Sequence, residues 1–283
     1  MRHEALTVTR FAPSPTGYLH LGHAFSALAA FGAAQEAGGR FLLRIEDIDP
    51  VRCKPAYTQA LLEDLRWLGL RWEEPVRVQS EHGADYVAAL ERLRAMGMVY
   101  PCFCTRREIE ELAAPQENVD AGPVYPGTCR DLPEAARAEL ARTRACVWRL
   151  DMARACAQAG DLSWEDDVRG EVRADPARFG DVVLARKDVP TSYHLSVTVD
   201  DALQGVTLVT RGEDLFAATD IHRLLQALLG LPMPRYRHHR LLRDATGRRF
   251  AKRDKALTLR ALRQAGKTPQ DVREMVGFGQ IVL

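Results

Sequence analysis

A chain of 283 residues, 46% hydrophobic and 27% charged with a net charge of +1, can bury a full core, either as one large α/β domain with an insertion or as two small domains. No run approaches the roughly 18 apolar residues of a membrane span, and Met1-Arg-His-Glu4 opens no secretory h-region, so no membrane contact and a cytoplasmic location are expected. Six cysteines in a chain this long, without a signal peptide, do not make a disulfide framework.

In chain order, Leu6, Val8 and Phe11 alternate with Thr7, Thr9 and Arg10, which predicts a strand. It enters a loop stiffened by Pro13 and Pro15 and turned by Gly17, and an alanine-rich helix from about Leu21 to Ala37 leaves that loop. Such a junction gathers backbone N–H groups and the positive end of a helix dipole, which suits an anion, and His20 and His23 share a face there. After Gly38-Gly39, Arg40–Ile45 reads as a buried parallel strand completing a right-handed βαβ unit. It ends in Glu46, Asp47 and Asp49, three carboxylates at the sheet edge where α/β folds bind ligands.

Helices are expected over Pro55–Leu68 and Glu81–Met96, the second with Tyr86, Leu90, Leu93 and Met96 as core residues. Val99–Cys104 is strand-like, Thr105 and Glu108 form a capping box for a helix to about Ala113, and Gly and Pro mark 115–133 as a loop. From about 135 to 188 short helix and strands (Val147–Leu150, Glu171–Arg173, Val182–Ala185) predict an insertion. Tyr193–Asp201 follows, then a strand at Gly205–Thr210, Arg211–Asp214, and a helix capped by Thr219 and ended by Gly230. Thr258–Ala265 and Pro269–Val276 are short helices.

Charge is polarised along the chain. Between Arg235 and Lys267 twelve Lys/Arg face Asp244 and Asp254, a net +10 that leaves −9 elsewhere, and the block fits either a solvated face or a phosphate footprint. Cys102, Cys104 and Cys129 supply three sulfurs of a tetrahedral zinc site, with Asp120 or Asp131 as a fallback fourth ligand; reduced, buried thiols fit the same pattern. Cys53, Cys146 and Cys156 read as small apolar residues.

Taken in order, Arg10-Phe-Ala-Pro-Ser-Pro-Thr-Gly17, His20-Leu-Gly-His23, Arg44-Ile-Glu-Asp-Ile-Asp49, Tyr193-His-Leu195, Val199-Asp-Asp201 and Arg211-Gly-Glu-Asp214 resemble the class I aminoacyl-tRNA synthetases, and among them the glutamyl-tRNA synthetase catalytic domain, from about residue 6 to 255. The resemblance implies an α/β Rossmann-type catalytic domain with an inserted zinc-binding subdomain and a short helical C-terminal segment. Its halves would be 1–98 and 189–240, the insertion 99–188, and the loop and tail 241–283. It also implies that glutamate is joined to ATP as an adenylate, with Mg²⁺ expected, and passed to tRNA. His20 and His23 would act catalytically as donors to phosphate oxygens, and Gly22 would let the nucleotide approach the backbone. Arg10 and Arg211 are the candidate carboxylate clamps and Glu46 the partner of the ammonium. Phe11, Ala12, Pro13, Ser14 and Tyr193 would line the same pocket.

The family's second signature falls at Arg249-Phe-Ala-Lys252-Arg253, with Arg in place of the first Lys and Ala in place of Ser. Lys252 stands at the catalytic, ATP-binding lysine, and Arg249 and Arg253 would hold pyrophosphate. A subgroup of short glutamyl-synthetase-like proteins has CxC followed by YxxxC, which makes Tyr125 the fourth ligand of one structural zinc per chain. Only thirty residues follow Arg253, too few for an anticodon-binding domain, and Val197 stands where full-length enzymes have Asn. With the cysteine pattern, these features resemble the glutamyl-queuosine tRNA(Asp) synthetase family. The resemblance implies a monomer that activates glutamate without tRNA and esterifies it to the cyclopentene-diol of queuosine in tRNA(Asp), with the basic block as a phosphate track. A truncated enzyme charging the tRNA 3′ end, and a non-enzymatic tRNA-binding paralogue, are the alternatives.

Overall fold

A computed structural model of the chain describes residues 6–112, 124–242 and 258–280. β1 (Val8–Phe11), α1 (Leu21–Glu36) and β2 (Arg40–Ile45) form the expected βαβ unit, with β1 and β2 parallel from Val8 beside Arg40 to Phe11 beside Leu43. Alanine's high helix propensity and small size allow α1 to be covered on more than one side. Ala24, Ala27, Leu28 and Ala30 are all buried, packed with Phe11, Leu43 and Leu65 and with Leu259 and Val272 near the C-terminus. Each fully buried leucine contributes about 1.5–3 kcal/mol relative to exposure.

α2 (Pro55–Trp67) leads to β3 (Glu73–Val78), which pairs parallel with β2. β3 was not expected from the sequence: Glu73, Glu74 and Pro75 are exposed at an edge where a missing N–H is tolerated, so the run lacks alternation. The helix expected from Glu81 starts with a 3₁₀ turn over Gln79–His82, and α3 (Gly83–Ala95) continues it with Tyr86, Leu90 and Leu93 buried, whereas Met96, expected in the core, is the exposed C-cap. β4 (Val99–Cys102), α4 (Arg106–Leu112), α5 (Glu134–Thr143) and β5 (Val147–Leu150) follow. Then come α6 (Met152–Ala159), β6 (Ser163–Asp166), β7 (Gly170–Arg173) and β8 (Val183–Ala185).

β4, β5 and β8 form an antiparallel sheet with β5 in the middle. β6 and β7, an antiparallel pair, instead join the next part of the chain. α7 (Tyr193–Leu203) leads to β9 (Leu208–Gly212), α8 (Thr219–Leu229) and β10 (Arg235–His239). β10 is parallel to β9 on one side and meets β6 on the other at Tyr236 and Asp166. β9 abuts β1, where the Thr207 N–H donates to the Val8 carbonyl at 3.0 Å and the Val8 N–H to Thr207 Oγ1 at 2.8 Å. The carboxyl ends of β1, β2, β9 and β10 therefore open at one edge.

Two expectations are corrected here. The strand placed at Gly205–Thr210 runs over Leu208–Gly212, because Gly205 adopts φ +65° in the turn after α7. Thr219 does not cap α8: it is the helix's first residue, Ala218 is the cap, and the Thr219 hydroxyl accepts from Arg211. Gly230 ends α8 in the left-handed region, as expected. α9 (Leu259–Gln264) and α10 (Pro269–Met275) close the described chain, with Thr258 and Thr268 capping them. No described helix is long and apolar enough to cross a membrane.

Candidate active site

At the carboxyl edge of the parallel strands lies a cavity of about 570 Å³. β1 and the loop after it contribute Arg10, Phe11, Ala12, Pro13 and Ser14; the end of β2 contributes Glu46; α7 begins at Tyr193; and β9 carries Arg211. His20, Gly22 and His23, at the start of α1, line the same space, and His239–Leu242 complete its wall. Every residue expected around glutamate, and the three expected at the nucleotide from the first signature, thus meet in one cavity. Arg249, Lys252 and Arg253 lie outside the described residues, as does Asp120.

The two histidines are fixed by the helix they open. His20 Nδ1 accepts the Gly22 N–H at 3.1 Å, and His23 Nδ1 accepts the His20 N–H at 3.1 Å, a reciprocal capping box made with imidazoles. In a neutral ring an accepting Nδ1 places the proton on Nε2, so both histidines are set as Nε2–H donors. Gly22 has a reason besides nucleotide approach: a Cβ there would stand 3.0 Å from His20 Cε1 and push the capping ring away. Thr258 forms a bridge with His20 and the Leu259 N–H donates to the Leu19 carbonyl at 2.8 Å, so the start of α9 is tied to this motif.

Arg10 and Arg211, alike in the sequence, differ in their surroundings. Arg10 is 4% exposed and engages Asp201 through Nε at 2.9 Å and a terminal nitrogen at 3.4 Å. Arg44, fully buried, donates to the same carboxylate at 2.8 Å and to Glu46 at 3.2 Å. Despite burial, Arg10 and Arg44 hold the Asp201 carboxyl below the usual range, whereas burial wins at Glu46 and pushes its carboxyl up. Asp200, one residue earlier on α7, accepts from Arg77, Gln79 and Tyr86 at 2.7, 2.8 and 3.0 Å. Asp200, Asp201 and Arg44 belonged to the recognised blocks without a role; Asp201 holds Arg10, Arg44 holds Asp201 and Glu46, and Asp200 lies 3.7 Å from Arg44.

Arg211 is 6% exposed, and among the described residues no carboxylate lies within 4.0 Å of it. Its donors go to His238 Nε2 at 3.2 Å, His222 Nδ1 at 3.1 Å and Thr219 Oγ1 at 2.5 Å. His238 in turn meets Asp166 of β6 at 2.7 Å, and His222 meets His194 at 3.2 Å. Burial, reinforced by Arg211, lowers His194 and His238 to about 4 and His222 well below its ordinary value. Burial also pushes the Tyr193 phenol up. Sequence reasoning missed His222, His238 and Asp166; the buried polar side chains spaced along α8, Thr219 and His222 three apart, were the available signal.

Away from this cavity, the sulfurs of Cys102, Cys104 and Cys129 lie within 4.8 Å of one another and could hold a metal ion. Tyr125 joins them: its hydroxyl is 3.5 Å from Cys104 Sγ and accepts the Cys129 N–H at 2.8 Å, while Arg149 covers its ring at 3.9 Å. Burial pushes the Cys104 thiol up to about 12 and raises Tyr125, whereas Cys129 is lowered by hydrogen bonds that overcome burial. A divalent cation reverses the rises by binding the anionic forms. Asp131, the fallback ligand, is not in the group.

The basic block is less one-sided in three dimensions. Arg235 and Arg237 pair with Asp167 at 3.1 and 3.0 Å, and Arg263 approaches Glu63 and Asp64. Arg240 covers the Phe25 ring beside the cavity, and Arg260 covers Tyr18 and donates to its hydroxyl at 3.0 Å. Residues 243–257 of the block lie outside the described residues.

The family model for the catalytic domain of class I tRNA synthetases (E and Q) matches residues 7–278. A Rhodobacter capsulatus protein named glutamyl-Q tRNA(Asp) synthetase is 53% identical over 279 residues, 96% of this chain and 100% of that protein. One of the same name from Nocardia farcinica is 47% identical over 93% of this chain and 81% of its own length. Among solved structures, a glutamate tRNA ligase from Elizabethkingia meningosepticum, in complex with its amino acid, gives a TM-score of 0.73 at 30% identity. It matches 88% of this chain, which spans 52% of that structure. With the parallel-strand edge and its cavity, these similarities establish that the chain belongs to the class I tRNA synthetase (E and Q) catalytic-domain family, among the glutamyl-Q tRNA(Asp) synthetases.

Proposed function

We propose that the protein activates L-glutamate with ATP as glutamyl-adenylate without tRNA and passes the glutamyl group to the cyclopentene-diol of queuosine in tRNA(Asp). The observation that carries the reading is one cavity joining Arg211, a buried cation that has no carboxylate partner among the described residues, and a buried acid, Glu46, to the imidazole-bearing N-terminus of α1. Glutamate needs such a divided site, because it brings two carboxylates and an ammonium. Its α-carboxylate oxygen attacks the α-phosphorus of ATP, the bond to the bridging oxygen breaks, and pyrophosphate leaves. A carboxylate is already nucleophilic, so the protein's part is positioning and charge stabilisation. His20 and His23, as Nε2–H donors at a helix N-terminus, suit the growing charge on the phosphoryl oxygens. Lys252, Arg249 and Arg253 belong to the reading as further phosphate contacts.

The acceptor follows the name of the R. capsulatus relative, matched along its whole length. A hydroxyl of the diol attacks the acyl carbon and AMP leaves, chemistry equivalent to transfer onto a ribose. Mg²⁺ with ATP, a monomer and a cytoplasmic location complete the proposal. So does one zinc on Cys102, Cys104, Tyr125 and Cys129; when bound it would cross-link the thiol loop to β4.

The test incubates the protein with labelled glutamate, ATP and tRNA(Asp) with or without queuosine. Glutamate-dependent ATP–pyrophosphate exchange without tRNA, and label on queuosine-bearing tRNA alone, are expected. Label on queuosine-free tRNA overturns the acceptor, and absence of exchange overturns the activation step.

A further inference from the structure

We propose that His222 and His238 are positioning residues that hold Arg211 entirely through neutral acceptors, so that its full charge is kept for a substrate carboxylate and glutamate is separated from glutamine. The inference rests on the glutamate reading above. The hydrogen bonds form a self-consistent chain of proton positions. Arg211 donates to His222 Nδ1, so the neutral His222 ring carries its proton on Nε2 and donates it to His194 Nδ1, 3.2 Å away. On the other side Arg211 Nε donates to His238 Nε2, so His238 carries its proton on Nδ1 and donates it to Asp166 at 2.7 Å. Thr219 Oγ1 takes a third donor. Asp166 is itself fixed by the N–H groups of Val168 and Arg169, both at 3.0 Å.

The charge state and the geometry support each other. A protonated His222 or His238 would aim a donor at the guanidinium and lose the acceptor it supplies, and the cation in turn disfavours protonation of both rings. Asp166, the nearest acid in the chain of bonds, is separated from Arg211 by the whole imidazole of His238. Arg10 has the opposite arrangement, with a carboxylate in direct two-point contact. Of the two clamps, only Arg211 has no carboxylate partner among the described residues. A substrate amide in place of a carboxylate would leave that charge unpaired and turn an N–H₂ toward N–H donors, the mismatch a polar site rejects most strongly. Tyr193, which lines the cavity, rests its ring against His194 and His222 at 5.6 Å, so the same two imidazoles also support that part of the pocket wall.

Two substitutions and one spectroscopic measurement test this. His222→Asp would give Arg211 a permanent carboxylate partner, whereas His222→Asn keeps a neutral acceptor near the place of Nδ1. In glutamate-dependent pyrophosphate exchange, H222D is expected to raise the glutamate KM about 10- to 100-fold and to narrow the preference over glutamine, with the ATP KM unchanged. H222N is expected to recover most of the loss, to within about threefold of the unsubstituted protein. An H222D enzyme with unaltered glutamate KM, or an H222N enzyme as impaired as H222D, overturns the proposal; the second result indicates a merely structural histidine. Independently of any substrate, ¹⁵N spectra of the imidazoles at pH 7 should show His222 protonated on Nε2 and His238 on Nδ1, and the reverse tautomers or charged rings overturn it. Should the unsubstituted protein show no glutamate-dependent exchange, the substrate reading fails by itself, while the tautomers still decide how Arg211 is held.

Discussion

In the proposed reading Glu46 would meet the substrate ammonium, and its position is set by Arg44, which is fully buried and shared with Asp201. Glu46→Gln keeps the shape and removes the charge, so the glutamate KM should rise about 10- to 100-fold while the ATP KM stays within about twofold, as read by pyrophosphate exchange. An equal rise in both would place Glu46 outside the amino-acid half of the cavity. At this scale the lining residues were legible, because Arg10 to Ser14, His20 to His23 and Glu46 sit in contiguous blocks. Their supports were not. Asp201 reaches Arg10 across 191 positions and His222 reaches His194 across 28, and no local pattern encodes such a pairing. Thr219 shows the same limit: ahead of a helical run it reads as a cap, but a buried guanidinium is the stronger claimant for its hydroxyl.

Among the elements, β4 and β5 with the loop after Tyr125 form a separate small core of Tyr100, Cys102, Phe103, Tyr125 and Cys129. Such a core has little apolar area, and a metal cross-link would contribute much of its stability. Cys129→Ser should lower bound zinc from one per chain, measured by elemental analysis, and reduce the melting temperature by about 4–8 °C, the shift expected for roughly 2 kcal/mol in a domain near this size. Because none of Cys102, Cys104, Tyr125 and Cys129 lines the cavity, glutamate-dependent exchange at 25 °C should persist. Unchanged melting and zinc content would leave the cysteines as packing residues. The helices α1, α2, α3 and α8 and the buried parallel strands β1, β2 and β9 were legible from apolar periodicity, whereas α7 and the basic strand β10 were not read as such. β3 and β6 were not legible either, since β3 is an exposed edge carrying Pro75, and β6 alternates only Trp164 and Asp166 as buried residues and finds its second partner, β10, 70 positions later.

For the whole molecule, buried titrating groups decide how stability responds to acid. His238, lowered to about 4, takes up a proton more readily when unfolded, so its contribution is complete above about pH 6.5 and is lost as pH falls toward 4. That loss is on the order of 3 kcal/mol; His222 acts in the same direction, and the half-buried His194 less strongly. Asp64, buried beneath α9 with no hydrogen-bond partner among the described residues and raised by burial to about 6, has the opposite sign, because the folded state binds its proton first as pH falls. Two to three histidines outweigh one aspartate. The melting temperature should therefore fall between pH 7 and pH 4.5 in calorimetry, and Asp64→Asn should raise it at pH 8 while steepening the acid limb. A melting temperature that rises on acidification would contradict this balance. The hydrogen bond from His238 to Asp166 has a further consequence for modularity. β6 belongs to the stretch that separates the two parallel-strand regions, yet its last residue fixes the far side of the histidine that holds Arg211. On the proposal above, that stretch is not an exchangeable accessory: a chimera that replaces it from a relative also replaces one end of the hydrogen-bond chain that holds Arg211. Swaps that cut between β6 and β10 should change which amino acid is accepted even though every residue touching the substrate is kept.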